Sequence, residues 1–353
     1  MTLEEKKRAH VRFWDGDGPS LILIPPPPED GQGPSYAEVF EDPRLMWQQE
    51  VGRARAVLDW PTDGIPTVRP NLGVVFLPSI AGQDYRIQED QMPWPGDPLS
   101  EEAILAIDDV DVRTAPLMTR AADFYAIHRE SGEEEIVAYH PDTQGVFDVA
   151  HMLYGEAIFL DAIDDSRRLW LEELLTICLD LYVRSSRHIK TLLVEDREAM
   201  VHGHATPQGV YFPHAGVRTS EDTATLFSPK TIEEVIVPFV ERSVAPFGGA
   251  FAHFCGRHEF LFEKLCQSEW ICAIDLQPGM HDTRWLLERC AESGTVLCSG
   301  VESRDGEDWR GYVERLGRLV RDTGARCILR PAVYPTERDE CQAMLDRWHE
   351  LTS

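Results

Sequence analysis

The sequence predicts an α/β fold, a (β/α)8 TIM barrel behind an irregular N-terminal extension, in a chain of 353 residues. Two observations point there. From Ile65 onward short apolar strands alternate with amphipathic helices, the pattern of a parallel sheet with crossover helices. The 43% hydrophobic content is enough to bury one large core, and a barrel of about 250 residues with additions would fill the length.

Residues 1 to 60 read as an extension packing on a barrel that occupies residues 61 to 353. Within the extension, Leu21 to Ile24 could be a strand, while Pro25 to Pro28 and the Gly/Pro-rich run to Pro34 must be loop, a rigid surface spacer. Ile136 to His140 is a strand candidate, and Phe147 to about Val194 carries two helical patterns divided near Asp164 to Ser166. A helix begins at Ser228-Pro229, an N-cap followed by proline, and Pro238 should kink or end it. The C-terminal half is clearest. Gly249 to Phe254, Trp270 to Asp275, Thr295 to Ser299 and Arg326 to Arg330 read as four strands. Between them lie helices around Glu259 to Gln267, Asp282 to Ser293 and Asp308 to Thr323.

Lys and Arg total 34 against 61 Asp and Glu, and the formal charge of −27 repels phosphate backbones and anionic membranes. Nucleic acid is thereby an unsuited partner, although a local arginine cluster can still hold a small anion. The first ten residues show no apolar leader, and no stretch approaches the roughly 20 apolar residues of a membrane span, so a cytoplasmic protein is expected. The eight cysteines lack small-scaffold spacing and form no CxxC pair, which predicts reduced thiols. Glu89-Asp90 and Glu133 to Glu135 read as solvated surface.

The chemistry-bearing constellation is His253 and Cys255. They end an apolar strand two residues apart, so in an extended segment both point to one face and can converge on one metal. Imidazole and thiolate together suit zinc, and Gly256 lets the backbone turn away. The competing reading makes Cys255 a small buried hydrophobe and His253 a hydrogen-bonded structural residue.

Several stretches occur in order: Thr143 to Ala150 with Leu153 to Gly155, Thr219 to Asp222 with Leu226 to Pro229, His253 to Gly256, Ser299-Gly300, and Ile328 to Pro331 with Tyr334 to Thr336. Together they resemble the superfamily that holds uroporphyrinogen decarboxylase and the zinc-dependent methyltransferases acting on methylated corrinoids. The resemblance runs from about Ile136 to the C-terminus and implies a (β/α)8 barrel with its site at the C-terminal strand ends. It implies a methyltransferase that moves a methyl group between a corrinoid and a zinc-activated thiol or related acceptor. Methylcobalamin or a separate corrinoid protein would be co-substrate, and a homodimer fits the superfamily.

In that branch a cysteine near the end of the last strand completes the zinc ligands; here Arg330-Pro331-Ala332 stands in that region and Cys327 lies earlier. Glu302 is the first substitute ligand, with Cys298, then His281 and Asp275, as alternatives. Asp222 and Tyr139 are the candidate catalytic side chains, and Gln144, Arg257 and His258 the candidate substrate contacts. His202, His204 and His214 form a histidine-rich loop that more often signals an active-site loop or surface than a metal. The decarboxylase branch grips its substrate with an N-terminal arginine element, for which Gly52 to Arg55 is a superficial substitute. Two alternatives stand beside methyl transfer: a metal-free lyase on a carboxylated substrate, and a catalytically silent barrel binding a corrinoid or tetrapyrrole.

Overall fold

A computed structural model describes residues 1–28, 33–88 and 91–353. Part of the expected Pro/Gly loop (29–32) and the pair Glu89-Asp90 lie outside the described residues. The strands are β1 (Leu21–Ile22), β2 (Ile65–Val68), β3 (Tyr85–Arg86), β4 (Trp94–Pro95), β5 (Val137–Ala138), β6 (Met200–His202), β7 (Gln208–Phe212), β8 (Val217–Ser220), β9 (Ala250–His253), β10 (Ile271–Asp275), β11 (Val296–Ser299) and β12 (Cys327–Leu329).

Six of them form a wholly parallel sheet in the order β1-β12-β11-β10-β9-β8. A second sheet has the order β5-β2-β7-β6, with β2 and β5 parallel and β7 antiparallel to both its neighbours. Single backbone hydrogen bonds join the two: the Asp63 N–H donates to the Ile22 carbonyl (3.1 Å) and the Gly145 N–H to the Ser220 carbonyl (2.9 Å). The four C-terminal strands and the three helices between them, Glu259–Gln267, Thr283–Ser293 and Trp309–Thr323, lie where their periodicity predicts.

Alternation along these strands separates two cores. Ile22, Ala250, Ala252, Ile274, Leu297 and Leu329 face the helices in the larger core. Leu21, Phe251, Ala273, Val296, Cys298 and Ile328 point the other way into a small apolar cluster with Phe13 and Phe212. That cluster closes one end of the inner face, so polar side chains on the same face gather towards the C-terminal strand ends. Among the described residues no helix is long and apolar enough to cross a membrane. All eight cysteines are free.

The N-terminal region departs from expectation: it is not irregular. Helices span Leu3–Asp15, Tyr36–Glu41 and Pro43–Leu58. Thr2 with Glu5, and Ser35 with Glu38, make reciprocal capping boxes, while Asp42 caps the third helix ahead of Pro43. β1 belongs to the six-stranded sheet, so a boundary at residue 60 would divide hydrogen-bonded strands. Pro238 interrupts its helix, as expected. The helical run from Pro229 to Val244 is broken by a π-turn at Ile232–Ile236 just before Pro238, an irregularity of the kind expected where a residue without an N–H lies inside a helix.

Asp63 fastens the N- and C-terminal parts. Its Oδ2 accepts from the Ile22 N–H (2.8 Å) and from His349 Nε2 (3.0 Å), and its carbonyl accepts from His10 Nε2 (2.9 Å). Burial alone would lower the His349 pKa, but the hydrogen bond and charge of Asp63 outweigh it and raise the value above its ordinary 6.5. A raised histidine stabilises the fold fully below the unfolded value and loses that contribution as pH rises through the folded one. Asp63→Ala is expected to cost about 2–4 kcal/mol in urea unfolding, because buried donors lose their acceptor. Asp63→Asn should flatten the fall in stability above about pH 6.5; an unchanged pH profile would contradict the assignment.

Candidate functional site

Parallel register builds the site. Ser220 on β8 pairs with His253 on β9, and His253 with Asp275 on β10, so the three lie at one level. Asp222 follows Ser220 by two residues and Cys255 follows His253 by two, which places both one level further out. There the Cys255 N–H donates to Asp222 Oδ1 at 2.6 Å. His253 Nε2 lies 3.3 Å from Cys255 Sγ and 3.6 Å from Asp222 Oδ1. Gly256, at φ +88°, then turns the chain away. Cys255 is exposed; partial burial and the neighbouring Asp222 charge push its thiol up to about 11.

Behind His253, Asp275 Oδ2 accepts from His253 Nδ1 (2.9 Å) and from His204 Nε2 (2.8 Å), with Arg330 Nη1 at 3.5 Å. Burial would raise the Asp275 carboxyl, but Arg330 and the two histidines hold it far below the usual carboxylate range. Burial keeps His204 neutral, its pKa lowered to about 3. His204 (φ +44°) and Ala205 (φ +64°) both occupy the left-handed region, a conformation that costs non-glycine residues energy. Side chains hold this turn: the Tyr139 hydroxyl accepts the Ala205 N–H at 3.2 Å, and His202 Nδ1 accepts the His204 N–H at 3.1 Å.

Asp222 is itself positioned from below. Asp148, on the helix Val146–Tyr154, accepts the Asp222 N–H through Oδ2 (2.9 Å) and the Thr223 N–H through Oδ1 (2.7 Å). Burial, then the charge of Asp222, raises the Asp148 carboxyl to about 7. Alongside, Arg218 Nη1 meets Asp142 Oδ1 at 2.5 Å and its Nη2 donates to Ser220 Oγ at 3.3 Å.

Two ligand-like groups result among the described residues: Asp222, His253 and Cys255, and His204, His253 and Asp275, each with its donor atoms within 4.8 Å of one another. The pair His253 and Cys255 does converge as its spacing suggests. Glu302 joins neither group; it is exposed, and its carboxylate rests against Gly279. Cys298 is buried in the small apolar cluster, and His281 Nδ1 faces the Gln277 carbonyl at 3.4 Å.

Tyr139 is buried and supports the histidine turn. The Gln144 amide donates to Asp142 Oδ1 at 2.9 Å. Arg257 is exposed and pairs with Glu259 at 2.5 Å. His258 is a helix cap: Nδ1 accepts the Leu261 N–H at 3.1 Å and Nε2 faces the Phe227 carbonyl at 3.1 Å, which leaves no ring nitrogen for substrate. His204, Asp148 and Arg330 are the site residues that sequence reasoning undervalued. Of the other loop histidines, His202 is buried under Tyr139 and His214 is exposed. Arg53 and Arg55 pair with Glu50 and Glu133 rather than reaching the site.

No family model matches this chain, and no curated protein does. Among solved structures, a methyltransferase from Methanosarcina mazei is similar over 100% of both chains, with a TM-score of 0.66 and 13% sequence identity. At that identity the likeness is one of fold.

Asp148→Ala strands two backbone donors beneath Asp222. The expected outcome is a loss of about 2–4 kcal/mol in stability and faster amide hydrogen exchange at Asp222 and Thr223. Unchanged exchange there would show that Asp148 does not position Asp222.

Proposed function

We propose that this chain is a methyltransferase that holds a zinc ion through Asp222, His253 and Cys255 and transfers a methyl group from a corrinoid to a thiol acceptor. The observation that carries the reading is the separation of His253 Nε2 from the other two donor atoms. Tetrahedral zinc with bonds of about 2.0–2.3 Å sets neighbouring ligand atoms roughly 3.3–3.8 Å apart. His253 Nε2 stands at 3.3 Å and 3.6 Å from its two companions. Three protein ligands with one open position suit catalysis rather than a closed structural site.

The residues behind the site support the same reading. With Nδ1–H donated to Asp275, the His253 lone pair on Nε2 is directed at Asp222 and Cys255. Asp222 takes the place that the resemblance gives to a late cysteine and that the sequence suggested for Glu302. The fold similarity to a solved methyltransferase agrees with this activity. So does a barrel reading of the strands: β1, β2, β5 and β8 to β12 make eight, and the bonds at Asp63 and Gly145 bridge the two breaks between sheets.

When bound, zinc supplies positive charge that favours the thiolate form of an acceptor whose free pKa is about 8.5. The chain's own residues orient and confine that acceptor. Asp275 fixes the imidazole, Asp148 fixes the backbone that carries Asp222, and Gly256 clears the approach. In the transfer, the acceptor sulfur forms its bond to the methyl carbon as the bond to the donor breaks and the donor keeps that electron pair. The donor would be methylcobalamin or a corrinoid on another protein.

Metal analysis of protein purified without chelator tests this directly. The wild type should carry about one zinc per chain, lost in His253→Ala, Cys255→Ala and Asp222→Ala and kept in Glu302→Ala. Asp275→Ala should weaken zinc affinity about 10- to 100-fold, because the imidazole loses its orienting partner. A metal-free, fully folded wild type would defeat the proposal and favour a metal-independent lyase.

A further inference from the structure

Arg330 follows β12 directly, and alternation puts its side chain on the same face as Ile328, hence on the inner face with His253 and Asp275. A guanidinium offers five N–H donors. Among the described residues the Arg330 side chain has one polar partner, Asp275 Oδ2 at 3.5 Å, at the outer limit of a hydrogen bond. That oxygen is already taken by two histidines at 2.8 and 2.9 Å. Arg330 Nε is buried without any acceptor.

A second weakly hydrogen-bonded guanidinium shares a neighbour with Arg330. Arg69, just after β2, is only 7% exposed; among the described residues its side chain makes one hydrogen bond, 3.4 Å to Asn71 Oδ1, and the charges of Asp142 and Glu50 also act on it. Tyr139 is an electrostatic neighbour of both arginines, and its hydroxyl accepts from Ala205 while keeping its own proton to donate. Arg218 shares with Arg330 a buried Nε without a partner, but Asp142 and Ser220 occupy its two terminal nitrogens. Buried polar groups are normally satisfied; the Arg330 side chain is 23% exposed, so beyond its buried Nε its terminal nitrogens face solvent, where an acceptor from outside the chain can reach them.

We propose that Arg330, with Arg69 and the Tyr139 hydroxyl, receives a carboxylate of the substrate, which makes the acceptor a short-chain carboxylic acid. A planar carboxylate can take two parallel N–H bonds from one guanidinium. Arg330 and His253 share Asp275, so only a short molecule fits between the anion subsite and the Asp222–Cys255 cluster. The assignment of a thiol at the other end rests on the function proposed above; the anion subsite does not.

Isothermal titration of the full chain separates the two. Propionate carries the anion and no thiol, and 2-mercaptoethanol the thiol and no anion. Propionate should bind the wild type both as purified and after chelator treatment, and Arg330→Gln should weaken it about tenfold or more. Arg330→Lys should restore part of the loss, and Arg69→Gln provides a second variant should Arg330→Gln fail to fold by circular dichroism. Binding of 2-mercaptoethanol should require the metal-loaded protein, whereas propionate binding should not. The carboxylate subsite is overturned if the wild type takes no propionate, or if both Arg330→Gln and Arg69→Gln bind it as the wild type does. A metal-free protein that still binds propionate through Arg330 would sink the zinc reading and leave the subsite standing.

Discussion

The Asp275 carboxylate is where the constraints of this site meet. One of its oxygens accepts from His253 on the neighbouring strand and from His204 in the strained turn after β6, and faces Arg330 beyond β12. Each contact joins a different stretch of chain, and none is near another in sequence. Burial makes such a carboxylate costly unless cations and donors compensate, and here the compensation is strong enough to depress its pKa despite burial. Removing the charge would leave two imidazoles without an orienting acceptor and a guanidinium without its counter-ion. The tautomer of His253, the aim of His204 and the position of Arg330 therefore stand or fall together.

Much of the C-terminal half was legible in the sequence because local signals there agree with the tertiary answer. Apolar runs of strand length alternate with helices ended by glycine, as at Gly294 and Gly324, so pattern and packing coincide. At the N-terminus the prolines at 25–28 are the strongest local signal and mask the helix starts at Thr2 with Glu5, Ser35 with Glu38 and Asp42-Pro43. What no local pattern reports is that Leu21–Ile22 pairs with β12, a partner about 300 residues away in the chain.

The site was legible where its spacing is local and illegible where it depends on register. His253 and Cys255 sit two apart on one strand, so their convergence follows from strand geometry alone. Asp222 reaches them only because Ser220 and His253 are paired across β8 and β9, a fact that no single segment contains. Glu302 attracted attention by lying after a strand end, yet its loop turns it towards Gly279. In the sequence Arg330 stands in the region where the resemblance implies a cysteine ligand. Its surroundings make it a charged group lacking sufficient partners of its own.

The contrast between the acidic whole and the arginines at the strand ends has a physical resolution. A formal charge of −27 is spread mainly over exposed side chains, and at physiological salt their fields decay over about 8 Å. That field disfavours a polyanion, which must approach many exposed carboxylates at once. A small anion inside the mouth meets Arg330 and Arg69 at contact distance in a medium of lower polarisability than water, where a single Coulomb interaction outweighs many screened ones. The sign of the ligand is thus set by a few side chains at the strand ends, and the net charge of the chain governs only what can come near its surface.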